Sequence, residues 1–122
     1  SAWAGRFFAL FRMALLLFVI TIKMARQVSS PETINIIYED MKNVINHGTG
    51  TRAKVPGIEM IGKTGTAENS TGKDHAWFIG CANMPNEDIA FAVIVENSGF
   101  GGSEAAPIIK NILTSILAKE GK

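Results

Sequence analysis

The run Lys63-Thr64-Gly65-Thr66 combines residue types that can do chemistry together. A lysine supplies a fixed positive charge beside a reacting serine. Threonine hydroxyls can bind a carboxylate. Gly65 carries no side chain, so a ligand can lie against the backbone there. A free backbone N–H on an exposed strand edge can serve an oxyanion hole. The bland alternative is a solvated lysine at a strand end, because a short motif by itself carries little weight.

Other polar residues offer weaker chemistry. His75 has no second His, Asp or Cys at ligand spacing, which argues against a metal. His47 falls where a helix should end, and an imidazolium there suits the helix dipole. Gly99 to Ser103 precedes a helix and could bind an anion, but no P-loop lysine follows, which favours a tight turn. Trp77 and Phe78 read as core residues. Cys81 is the only cysteine, so an internal disulfide is excluded. Its neighbours Ile79, Gly80 and Ala82 suggest a buried strand thiol.

The elements that would position these residues follow from pattern. Ser30 can cap a helix that starts at Pro31. Ile34, Ile37, Met41, Val44 and Ile45 then recur at helical spacing, and Gly48 is a plausible stop. A loop over 48–57 leads into three strand-like segments, Ile58–Thr66, Ala76–Ala82 and Ile89–Glu96. In the last of these Ile89, Phe91, Val93 and Val95 share one face and Ala90, Ala92 and Ile94 the other, the pattern of a sheet covered on both sides. The turn-rich stretch 83–88 predicts a hairpin between the second and third strands. Ser103 is placed to cap a last helix with Ile108, Ile109, Ile112, Leu113, Ile116 and Leu117 along one stripe. The fold class expected is α+β: a helix, a three-stranded antiparallel sheet and a C-terminal helix.

The chain has 122 residues, at most one domain. Residues 1–27 stand apart as an apolar N-terminal segment, and residues 28–122 form the folded part. Arg6, Arg12, Lys23 and Arg26 give the first segment its positive charge, with no acidic residue, whereas acid predominates afterwards. No basic face studded with aromatics appears in the longer part, so nucleic-acid binding has little support. Phe7 to Ile22 is apolar apart from Arg12 and Thr21, short of the ~20 residues of a membrane helix. A helix packed on the domain or on a second copy is the plainer expectation.

The motifs together resemble the penicillin-binding proteins, D,D-transpeptidases of the serine β-lactamase-like fold. Lysine-threonine-glycine is a motif of that family. The resemblance also rests on Gly48-Thr49-Gly50-Thr51, Gly62 to Glu68, His75 to Gly80, and Gly101-Gly102 with Ala105-Ala106-Pro107, in the order and spacing of the class B enzymes. It covers Val28 to Leu117. It implies a partial transpeptidase-like fold in which Lys63 is catalytic and Thr64, Gly65 and Thr66 bind substrate. Thr64 and Thr66 would hold the carboxylate of a peptidoglycan stem peptide or of a β-lactam, and the Thr66 N–H would join the oxyanion hole. The loop from Thr49 to Arg52 would lie near the same cleft. No cofactor is implied, and a bacterial cell-envelope location is, membrane-anchored with the domain outside the cytoplasm.

Family members attack with a serine in Ser-x-x-Lys and use a Ser-x-Asn motif, both N-terminal to the lysine-threonine-glycine strand. Neither precedes Lys63 here, and no Ser-x-Asn occurs in the chain. The only Ser-x-x-Lys, Ser70-Thr71-Gly72-Lys73, follows the strand in a polar connector and reads as surface loop. The expectation is the C-terminal part of a longer enzyme, inactive alone. The alternative is a non-catalytic protein that associates with itself or with a membrane through exposed apolar surface.

Overall fold

The computed structural model describes residues 28–121, and residues 15–21 as backbone. Strand β1 (Leu15–Thr21) precedes helix α1 (Pro31–His47), a 3-10 turn at Thr51–Ala53, β2 (Glu59–Ala67), β3 (His75–Asn83), β4 (Asp88–Val95), the single turn α2 (Gly101–Glu104) and α3 (Ala106–Glu120). The three expected strands form an antiparallel meander, and β1 joins them in the order β1-β4-β3-β2. Met84 N–H bonds the Glu87 carbonyl at 3.1 Å and closes the β3–β4 hairpin.

The helix expected in the N-terminal segment is corrected over Leu15–Thr21. This stretch is a strand that lies antiparallel on β4, with Leu15 opposite Val95 and Thr21 opposite Ile89. An edge strand offers unpaired N–H and C=O groups. A run ending Phe18-Val19-Ile20-Thr21 suits them, because aromatic and β-branched residues favour strands. The rest of the basic apolar segment, with the membrane reading of Phe7 to Ile22, lies largely outside the described residues. No helix among the described residues is long and apolar enough to cross a membrane.

Ser30 caps α1 as its sequence suggests. Its hydroxyl accepts from Thr33 N–H at 3.2 Å, and Pro31 occupies the first turn. Such a cap contributes about 1 kcal/mol. Gly48 ends the helix without a left-handed turn, at φ −109°. Its value is space: a side chain there would come within 2.9 Å of the Val44 backbone.

The core lies on one face of the sheet. Met60, Phe78, Ala82, Ile89, Phe91 and Val93 meet Ile45 from α1 and Ile109 and Leu113 from α3. Phe78 stacks on Phe91 with centroids 5.4 Å apart. The facing pair Gly62 and Gly80 makes room for these rings: a side chain on Gly62 would meet the Phe78 ring, and one on Gly80 the Phe91 ring. No described element covers the opposite face, so the second cover expected for β4 lies outside the described residues. Trp77 and Ile79 point out there, 38 % and 46 % exposed. The alternation of β4 is apolar on both faces because its outer face carries alanines and Ile94, which does not reveal what lies above them.

Two helix expectations also change. Ile34 and Ile37, on the expected apolar stripe of α1, are exposed, and only Ile45 of that helix is fully buried. Ser103 does not cap α3. Its hydroxyl donates to the Phe100 carbonyl at 3.0 Å, inside the extra turn α2, and Ala105 takes the cap position.

Candidate active site on the β2 edge

Among the described residues β2 is an edge strand, paired to β3 on one side only. Its side chains alternate across the sheet. Lys63 and Gly65 lie on the open face, and Thr64 and Thr66 on the face that carries the core. The strand edge therefore separates one ammonium from two hydroxyls. Lys63 is exposed, and its Nζ donates to the Thr64 carbonyl at 2.7 Å. Thr66 is exposed near the end of the strand, whereas Thr64 is 7 % exposed. A side chain on Gly65 would touch only the Trp77 Cβ, at 3.3 Å, so the strand is bare at that point.

Thr64 does not stand alone. Its hydroxyl lies 2.6 Å from the Thr49 hydroxyl, delivered by the turn after α1. A buried hydroxyl needs such a partner, since an unpaired one costs about 1–3 kcal/mol. Thr49 is the residue that the sequence under-reports: the Gly-Thr-Gly-Thr run put its loop near the cleft, but the contact itself is tertiary. α2 completes the arrangement. A side chain on Gly101 would strike the backbone carbonyls of Trp77 and Gly65, and one on Gly102 would come within 2.5 Å of the Thr49 carbonyl. The Gly101-Gly102 pair is therefore a close backbone contact that seats α2 on the strand and the Thr49 turn together.

Ser70 is not brought to Lys63. It sits exposed in the β2–β3 turn, in a shallow depression with Glu68, Asn69 and Asp74. Asn69 organises that turn. Its Oδ1 accepts from Thr71 N–H at 3.1 Å and Thr71 Oγ1 at 2.9 Å, and its Nδ2 donates to the Lys73 carbonyl and to Asn97 Oδ1. His75 accepts from the Asn97 N–H through Nδ1 at 3.0 Å, which occupies one ring nitrogen in holding the end of β4. His47 lies exposed in the last turn of α1. Cys81 is half-buried on the open face. Burial, then the charge of Asp88, push its thiol pKa up, so it stays a protonated, poor nucleophile. Among the described residues no cluster of three or more His, Cys, Asp or Glu could hold a metal ion.

The arrangement at β2 suits ligand capture along a strand edge, with positive charge on one side and hydroxyls on the other. Among the described residues no serine or cysteine side chain is hydrogen-bonded to Lys63. Comparison with known proteins bears on the family of the chain. Residues 19–114 match the family model described as the penicillin binding protein transpeptidase domain. Stage V sporulation protein D of Bacillus subtilis is 38 % identical over 108 residues, which span 79 % of this chain and 16 % of that protein. Among solved structures, the transpeptidase domain of FtsI4 D,D-transpeptidase from Legionella pneumophila superposes with a TM-score of 0.64 at 30 % identity, over 72 % of this chain and 36 % of that one. Penicillin-binding protein A from M. tuberculosis, solved as a ceftriaxone acyl-enzyme complex, gives 0.63 at 32 % identity, over 76 % of this chain and 23 % of that one. By its matched sequence and its fold, the chain belongs to the penicillin-binding protein transpeptidase domain family and is a part of such a domain.

Proposed function

We propose that the chain supplies the lysine-threonine-glycine wall of a peptidoglycan D,D-transpeptidase site. The observation that carries this reading is the edge position of Lys63 to Thr66, with the ammonium and the hydroxyls on opposite sides of a bare strand. In acyl transfer a serine hydroxyl attacks the peptide or β-lactam carbonyl, and negative charge develops on the carbonyl oxygen. Lys63 stabilises charge beside that serine, which a Ser-x-x-Lys segment of the same domain family provides. The Thr66 N–H donates to the developing oxyanion. Thr64 and Thr66 take the carboxylate of the stem peptide's terminal D-alanine, or of the antibiotic. The setting is the bacterial cell envelope, with the parent enzyme anchored in the membrane.

A fluorescent penicillin tests this. The 122-residue chain remains unlabelled after denaturing electrophoresis. A chimera in which residues 28–117 replace the matching stretch of the Bacillus subtilis relative becomes labelled. A folded chimera that takes no label, or a Ser70-dependent label on the chain alone, overturns the assignment.

A second reading, self-association of the isolated chain, is favoured by the exposure of Trp77, Ile79, Ile36 and Ile37. Trp77 and Ile79 lie together on the open face of β3, and exposed apolar surface marks contact sites. Light scattering is expected to give a mass above that of one chain, rising with concentration. A clean monomer at high concentration would count against it.

A further inference from the structure

α1 runs alongside β2, and three contacts follow one another in the same order on both. Tyr38 and Lys42, one turn apart, both reach the Glu59 carboxylate at the start of the strand. The Tyr38 hydroxyl donates to Oε1, and Lys42 Nζ lies 2.9 Å from Oε2. Further along, Ile45 Cδ1 lies 3.2 Å from where a Cβ on Gly62 would be. Thr49, just past the helix, reaches Thr64. The lengths agree. From Tyr38 to Thr49 a helix advances roughly 16 Å at its usual rise, and from Glu59 to Thr64 a strand advances roughly 17 Å.

The three contacts differ in what they fix. The Ile45 contact is apolar and has no preferred direction. The contact at Glu59 is directional, two donors on two oxygens of one carboxylate. A slip of α1 by one turn would carry Thr49 about 5.4 Å along the strand, beyond reach of the Thr64 hydroxyl. We propose that Glu59 is a positioning residue for the Lys63–Thr66 edge: by gripping Tyr38 and Lys42 it sets the register of α1 along β2, and so holds Thr49 against Thr64. The functional meaning of this latch rests on the transpeptidase reading above. Its geometry does not.

The electrostatics agree with the geometry. The hydrogen bond to Glu59, then burial, then the charges of Glu59, Glu39 and Asp88 push the Tyr38 hydroxyl up to about 12. Hydrogen bonds from Tyr38 and Lys42, and the Lys42 charge, hold Glu59 below its ordinary 4.5 against a small opposing effect of burial. Lys42 is raised by the same bond and by the Glu59 charge. Lys54 lines the same cleft as Lys42 and Glu59. A carboxylate with a lowered pKa contributes its cohesion above its unfolded value and loses it as pH falls through the lowered one. A hydroxyl with a raised pKa contributes below its unfolded value and loses its contribution as pH rises through the raised one. The latch is thus whole at neutral pH. It opens in acid below 4.5 and in base near 12.

Backbone amide NMR of the 122-residue chain, from neutral pH to about pH 3, tests the latch. The Thr49 and Thr64 amides are expected to shift together, with the same midpoint as the Glu59 carboxyl, while the Ile109 and Leu113 amides stay in place. In Glu59→Gln the Thr49 and Thr64 amides start displaced and lose the pH dependence. In Tyr38→Phe the shared midpoint moves toward the ordinary carboxylate value. Thr49 and Thr64 signals that stay flat while Glu59 titrates overturn the proposal. So does a change that the core amides share, since that is general acid unfolding. The readout uses no antibiotic. Failure here with a labelled chimera removes the latch and leaves the transpeptidase reading; the converse leaves the latch and removes that reading.

Discussion

Lys63→Ala in the chimeric transpeptidase domain is expected to lower the second-order rate of β-lactam acylation by about a hundredfold or more, which is the usual effect of removing one placed electrostatic group. The fold should barely register the change. Lys63 is exposed, and its one hydrogen bond is to the Thr64 carbonyl, which water can satisfy after the substitution. Stability should therefore change by about 1 kcal/mol or less. Thr66→Val is the matched control. It removes a hydroxyl and keeps the shape and the backbone N–H, so the loss should concentrate on ligands that carry a carboxylate. Stopped-flow acylation and thermal melting of both variants decide the matter. Acylation at the parental rate after Lys63→Ala, or a loss of rate fully explained by unfolding, would make Lys63 structural.

Phe78→Ala should be the most damaging single truncation for the fold, at about 3–5 kcal/mol. Phe78 is fully buried, stacks on Phe91 and fills the space over Gly62 and beside Gly50. Typical domains have only about 5–15 kcal/mol in total, so little would remain. The damage should also reach the candidate site, because Phe78 is the cross-strand neighbour of Thr64 and its ring lies against the turn that carries Thr49. Its neighbour Ile79 gives the contrast. It faces the open side, half exposed, so Ile79→Ala should cost about 1 kcal/mol or less. Denaturant unfolding of both variants measures the difference, and equal losses would mean that the two faces of the sheet had been exchanged.

What the sequence made legible was local. Ser30-Pro31 and the isoleucine spacing placed α1, and the meander of β2, β3 and β4 lies within a residue or two of its pattern. Lys63 to Thr66 falls on a strand edge, as its motif required. The illegible parts all depend on partners far along the chain. β1 is a strand because the edge of β4 is there to receive it; periodicity does not separate a strand from an apolar helix between Leu15 and Thr21, and the β-branched end of the run is the only local hint. The exposure of Ile34 and Ile37 contradicts their spacing, because periodicity shows which face is apolar and not whether anything covers it. The Thr49–Thr64 hydroxyl pair brings together two separate motifs whose meeting depends on the lie of α1. Ser103 had the right type for a cap, but the Phe100 carbonyl was the nearer partner.

The place of β1 in the sheet bears on how the molecule assembles. β2, β3 and β4 follow one another through short turns, so their pairing closes small loops and costs little chain entropy. β1 is the opposite case. It leaves the ribosome before α1 and every other described strand, yet its partner among the described residues is the last of them, and Leu15 must wait for Val95. Contacts of such long sequence separation slow folding. The strand edge that carries Lys63 is thus completed by early, local pairing at one side of the sheet, while the other side stays open until synthesis has passed β4. During that interval β1, an apolar run, is without its partner strand, the kind of exposed segment through which nascent chains aggregate.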